Sequence, residues 1–153
     1  MNLLDFVIKA KLAGYAAGEE SQKQQFEDGS LGFIYQDSEY KYVDRYFGLN
    51  PFSGTEHLYN KENELIWKMN YWGMVFPDHP DPKKIYSFLI DAMSLITKEY
   101  PFRGPSIHEK GSLRYVNNQQ GFFDNFNGVE SIFEGDDKVY ELYYHGGSMK
   151  QIM

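Results

Sequence analysis

The chain has 153 residues, 24% charged and 42% hydrophobic, the balance of one compact domain with its own core and not of a disordered segment. Its formal net charge of -7 repels phosphate backbones and no basic run offsets it, so nucleic-acid binding by this chain alone is not expected. The lack of cysteine excludes disulfide scaffolds, thiolate metal sites and cysteine nucleophiles, and no apolar run approaches the roughly 18 residues that span a bilayer.

Residues 1–17 lack a cationic start, and Asp5, Lys9 and Lys11 interrupt their apolar positions. They read as an amphipathic helix and not as a secretory signal, so a cytoplasmic location is expected. Leu3, Phe6, Val7 and Ala10 fall at i, i+3, i+4 and i+7, which predicts a helix over 2–13. Residues 14–30, rich in Gly, Glu, Gln and Ser, read as an exposed loop. The period then changes to two. Tyr40, Tyr42, Asp44 and Tyr46 alternate with Lys41, Val43, Arg45 and Phe47, a strand that Gly48, Asn50 and Pro51 break. A hairpin follows: roughly 55–60, a turn at Asn60-Lys61-Glu62-Asn63, then 64–75.

Pro77, Pro80 and Pro82 mark the middle connection, where Asp81 supplies an N-cap carboxylate ahead of proline at the first helical position. Ile85, Phe88, Leu89, Ala92, Leu95 and Ile96 form the apolar stripe of a helix expected to reach about Tyr100, ended by Pro101, Gly104 and Pro105. Strand patterns return at 113–117, 129–134 and 138–145, the last two joined by the turn Gly135-Asp136-Asp137.

The two strand regions resemble each other. Tyr42-Val43-Asp44 recurs as Tyr115-Val116-Asn117, and Gly48 as Gly121, each 73 positions on. Phe52-Ser53-Gly54-Thr55-Glu56 aligns with Phe126-Asn127-Gly128-Val129-Glu130, and residues 66–73 align with 139–146. The expected fold is therefore α+β: two tandem helix-plus-antiparallel-meander repeats, approximately 1–76 and 81–149. They form one sheet with two helices packed on one face, in a single domain over 1–153.

The runs Tyr42-x-Asp44-x-Tyr46-Phe47-Gly48, Phe52-x-Gly54-x-Glu56, Trp67-x-Met69-Asn70-Tyr71-x-Gly73 and Tyr144-His145-Gly146-Gly147 resemble a bacterial domain family of unassigned function. Its members occur alone or fused behind an XRE-type helix-turn-helix, and the likeness covers nearly the whole chain. The resemblance implies a bacterial origin and a regulatory setting. It carries no catalytic residue onto this sequence, which has no helix-turn-helix segment of its own.

Glu56 and Glu130 occupy matched positions, each close to a glycine that permits near backbone approach. Facing a groove between the halves, they would give paired carboxylates beside aromatic walls, suited to a small cationic or amphipathic molecule. On the solvent face of a strand they would do no such thing. In 65–73, Leu65, Trp67, Met69 and Tyr71 share one face, read as core beneath the helices, and Ile66, Lys68, Asn70 and Trp72 share the other. The candidate ligand-binding set is Glu56, Glu130, Tyr42, Asn70, Tyr71, Trp72, Tyr143, Tyr144 and His145.

His57, His79, His108 and His145 lack metal-ligand spacing, and no nucleophile elbow or phosphate loop is present, so no catalytic residues, metal or cofactor are expected. The leading reading is a non-catalytic, sensor-like domain that binds a small molecule in an aromatic groove between the repeats. The alternative is a protein-interaction or homodimerisation module using an aromatic sheet face. A glutamate-dependent hydrolase ranks third. No membrane association is expected.

Overall fold

The computed structural model describes residues 2–15 and 23–149. Helix α1 (Leu3–Tyr15) starts at Asn2, whose Oδ1 accepts from the Asp5 amide at 2.9 Å and so satisfies one of the orphan donors of the first turn. Strands β1 (Gln24–Gln25), β2 (Leu31–Gln36), β3 (Tyr40–Phe47), β4 (Phe52–Asn60) and β5 (Leu65–Val75) follow. Helix α2 (Pro82–Met93) leads into β6 (Ile107–Lys110), β7 (Leu113–Phe122), β8 (Asn125–Glu134) and β9 (Asp137–Ser148). Part of the segment read as a loop, residues 16–22, lies outside the described residues.

The nine strands make one antiparallel sheet in the order β1-β2-β3-β4-β5-β9-β8-β7-β6. The fold is α+β, as expected. Each half contributes a helix and then a four-strand meander, β2–β5 or β6–β9, where the sequence pattern showed three strands. The unread ones lie toward the sheet edges. In β2 only Gly32 and Phe33 are buried, and β6 is four residues with Ile107, Glu109 and Lys110 exposed, so neither presents a clear alternation. The halves meet at a central seam where β5 and β9 pair with Asn70 opposite His145, Tyr71 opposite Tyr144 and Trp72 opposite Tyr143.

Alternation sorts the side chains. One sheet face carries Tyr42, Leu58, Trp67, Met69, Tyr71, Tyr115, Ile132, Tyr140, Leu142 and Tyr144, all buried in a single core with the apolar stripes of both helices. Trp67, read as core, stacks on Phe123 and Phe126 at centroid distances of 5.1 and 5.6 Å and donates its indole N–H to the Phe123 carbonyl at 2.9 Å.

Asp81 caps α2 as expected, accepting from the Lys84 amide at 3.2 Å. The helix nevertheless stops at Met93, not near Tyr100. Ser94 Oγ donates to the Asp91 carbonyl at 2.6 Å, and the amides of Leu95 and Ile96 bond three residues back, to Ala92 and Met93. Those tighter bonds end the α-helical ladder, yet Ile96 stays buried, which is why the apolar period ran on in sequence past the helix itself.

Candidate functional site

The inner face carries more charge than its burial suggests. Glu56 on β4 and Glu130 on β8 are both fully buried. Lys11, one turn after Val7 on the apolar side of α1, is also fully buried; its Nζ lies 2.8 Å from Glu56 Oε1 and donates to the Phe102 carbonyl at 2.6 Å. The Tyr42 hydroxyl donates to the same Glu56 oxygen. Burial holds the Lys11 pKa below its ordinary value of 10.5, against the opposing pull of the Glu56 carboxylate.

In the other half Arg103, on the connection after α2, grips Glu130 with two parallel hydrogen bonds of 2.9 Å, from Nε to Oε2 and from Nη2 to Oε1. The Tyr115 and Tyr140 hydroxyls donate to Glu130 at 2.6 and 2.7 Å. Burial, and then the adjacent carboxylate, drives both tyrosine pKa values well above 10.0. These hydroxyls remain neutral donors. The two glutamates thus face inward, away from solvent, and each is neutralised by a buried cation.

Beside each glutamate stands a further polar residue on the neighbouring strand. Asp44 lies opposite Glu56 in the β3–β4 register, and Asn117 lies opposite Glu130 in the β7–β8 register. The Tyr71 hydroxyl donates to Asp44 Oδ1 at 2.7 Å, and the Tyr144 hydroxyl donates to Asn117 Oδ1, also at 2.7 Å. Both tyrosines need room that only glycine leaves: a Cβ on Gly54 would come within 2.4 Å of the Tyr71 hydroxyl, and one on Gly128 within 2.2 Å of that of Tyr144.

The resemblance stops at the next contact. The Asn117 amide donates to the Gly104 carbonyl at 2.8 Å, and Phe102 stacks on Phe126 at 3.6 Å, so that corner is closed. The matching corner around Asp44 is a cavity of about 550 Å³. Phe33 of β2, Phe52 of β4 and the Tyr86, Leu89, Ile90 and Met93 side of α2 wall it, while Asp44, Tyr71 and Arg103 also line it. Asn50 braces one corner: its side chain makes paired hydrogen bonds to the backbone of Val75 and accepts from the Tyr86 hydroxyl at 2.6 Å, tying the end of β5 to α2.

Asp44 is 5% exposed. Burial first, and then the Glu56 carboxylate beside it, push its pKa from 3.8 up to about 7, although the Tyr71 hydrogen bond, Lys11 and Arg103 pull the other way.

The candidate residues read from sequence fall on two faces. Glu56, Glu130, Tyr42, Tyr71 and Tyr144 are buried on the inner face, and Tyr71 alone among them lines the cavity. Asn70, Trp72, Tyr143 and His145 cluster on the outer face, with Trp72 and Tyr143 about half exposed. That face also holds a smaller cavity of about 330 Å³ near Lys41, Arg45, His57 and Tyr59. Among the described residues no three histidine, aspartate or glutamate side chains gather to hold a metal ion, and no helix is long and apolar enough to cross a membrane.

Asp44, Lys11 and Arg103 stand outside the candidate set read from sequence, although the strand face that Asp44 shares with Tyr42 reads as a place for a ligand or partner. Asp44 shares the parity of Tyr42, and Lys11 sits on the stripe of Val7, so both carried a signal as polar residues on buried faces. Arg103 lies in a Pro- and Gly-flanked connection and had none.

Fold and cavity together define an α+β protein, one nine-stranded antiparallel sheet covered on one side by two helices, with a large recess beneath the second. Residues 44–149 match the family model described as a domain of unknown function (DUF5680), and the chain belongs to that family. Neither the comparison with curated proteins nor that with solved structures gave a match.

Proposed function

We propose that this protein is a non-catalytic, sensor-like domain that binds a small, mainly apolar molecule in the cavity between α2 and the β2–β5 side of the sheet. The observation carrying the reading is the cavity itself: about 550 Å³, apolar in most of its walls, with Asp44 and the Tyr71 hydroxyl as polar anchors. Few precisely placed polar groups in an apolar recess are what a ligand of modest size needs for orientation. The buried glutamates nearby, Glu56 and Glu130, are already paired with Lys11 and Arg103, which favours recognition over catalysis.

The proposal also takes the two halves as copies of one unit. Its support is the shared geometry: the Tyr42–Glu56 and Tyr115–Glu130 contacts, the Tyr71–Asp44 and Tyr144–Asn117 contacts, and left-handed Gly48 and Gly121 at matching hairpins. The cavity then belongs to the junction between copies, because α2 of the second covers strands of the first. A bacterial, cytoplasmic setting with a helix-turn-helix regulator is where such a sensor would act.

The test is a thermal-shift and calorimetric screen of small aromatic compounds against the wild type and Ile90→Trp. Ile90 lines the cavity but is 43% exposed, so a larger ring there obstructs the recess without disturbing the core. A ligand at 100 times its Kd stabilises the folded state by about 2.7 kcal/mol, and Ile90→Trp removes that gain. Equal binding to both proteins would overturn the assignment.

A further inference from the structure

Resting on that reading, the charge inventory of the recess selects among ligands. Two of the buried carboxylates have buried cations of their own: Glu56 has Lys11 and Glu130 has Arg103, the latter through two parallel hydrogen bonds from one guanidinium edge. Asp44 is the third. Its Oδ1 accepts from the neutral Tyr71 hydroxyl, and among the described residues no hydrogen bond reaches Oδ2. Asp44 is among the residues that line the cavity.

The other half shows what structure alone requires at such a position. Asn117, opposite Glu130 as Asp44 is opposite Glu56, accepts the same tyrosine hydrogen bond and returns an N–H to a backbone carbonyl. A neutral amide suffices there. A carboxyl set against a second carboxylate in an apolar recess is, by contrast, costly unless something positive arrives.

We infer that the cavity takes a small apolar molecule carrying one positive charge, an ammonium or a comparable cation, seated on Asp44 with its apolar body against Phe33, Phe52 and Tyr86. With Asp44 ionised, the buried set of Lys11, Arg103, Glu56, Glu130 and Asp44 sums to one negative charge, and a monovalent cation brings it to neutrality. The aromatic walls favour a cation through their π faces as well. Lys23 and Lys83, which also line the cavity, are exposed, so their charge is screened by water and salt.

Binding a cation displaces the proton that Asp44 holds below about pH 7. Affinity for the cation therefore rises with pH through that region. The groups facing Asp44 come from three elements and a connection: Glu56 on β4, Tyr71 on β5, Lys11 on α1 and Arg103 on the connection after α2, and the Glu56 carboxylate is the one that opposes its ionisation.

The experiment uses three probes sharing one bicyclic body: naphthylmethylamine, naphthylmethanol and naphthoate, titrated calorimetrically into wild type, Asp44→Asn and Ile90→Trp. At about pH 8 the amine is expected to bind at least about tenfold tighter than the alcohol, the factor of one charge-assisted hydrogen bond, and the carboxylate most weakly. The preference should shrink toward about pH 6 in the wild type, a measurement that needs no variant. Asp44→Asn should abolish it while sparing the alcohol. If the three probes bind alike, or naphthoate binds best, and Ile90→Trp still blocks them, the charge inference falls and the cavity reading stands. If none binds, or Ile90→Trp blocks nothing, both fall.

Discussion

At the scale of single residues, Asp44 is the position where structure and proposed function pull against each other. Its folded pKa of about 7 lies above the ordinary 3.8, so between those values the folded protein holds a proton that the unfolded chain has released. By linkage, the stability this group contributes at acid pH is lost as the pH rises toward 7, and above that the folded state carries the full cost of a buried carboxylate. Asp44→Asn removes that cost and keeps an acceptor for Tyr71. Denaturant unfolding across pH should find the variant more stable than wild type at about pH 8 by on the order of a few kcal/mol, with the gain vanishing toward about pH 4. A difference that stays constant with pH would mean Asp44 does not titrate in the folded protein. A residue that weakens the empty protein while facing a recess has the profile of a binding residue.

Elements are held in place by the other carboxylates. Glu130 accepts from Tyr115 on β7, Tyr140 on β9 and Arg103 on the connection after α2, so one side chain on β8 fixes three neighbours at once. Removing its charge takes the bidentate carboxylate away from a buried guanidinium. Glu130→Gln should therefore lower unfolding free energy by about 3–5 kcal/mol, measured in denaturant, whereas breaking the exposed Lys110–Asp91 pair should change it by less than about 1 kcal/mol. Comparable losses in the two variants would contradict this account of the inner face. The glutamates were legible in sequence as a matched pair, because Phe-x-Gly-x-Glu recurs in order. Their partners were not. A lysine on a short apolar stripe and an arginine in a proline-flanked connection reach them only through tertiary packing, which local periodicity does not encode. The end of α2 escaped for a related reason: Ile96 is buried by a tight turn that keeps the helical period for one more step without the helix.

Across the whole molecule, alternation was the most informative signal. It separated Trp67, Met69 and Tyr71 from Asn70 and Trp72, and the sheet keeps that division, so a site drawing on both sets spans two opposite faces. The outer set forms an aromatic and polar patch. The inner set surrounds paired charges and the recess under α2. What the sequence did not reveal is the difference between the two corners, since Asp44 against Asn117 looks like a minor exchange until the Phe102–Gly104 segment is seen filling one corner and a cavity is seen at the other. That asymmetry is the central claim. The most direct measurement of it is an amide NMR titration with naphthylmethylamine at about pH 8, where the Asp44 carboxyl is ionised. Saturable shifts centred on Phe33, Asp44, Leu89 and Met93 are predicted. Shifts centred instead on Trp72, Tyr143 and His145 of the outer face, or no saturable shifts at all, would contradict it.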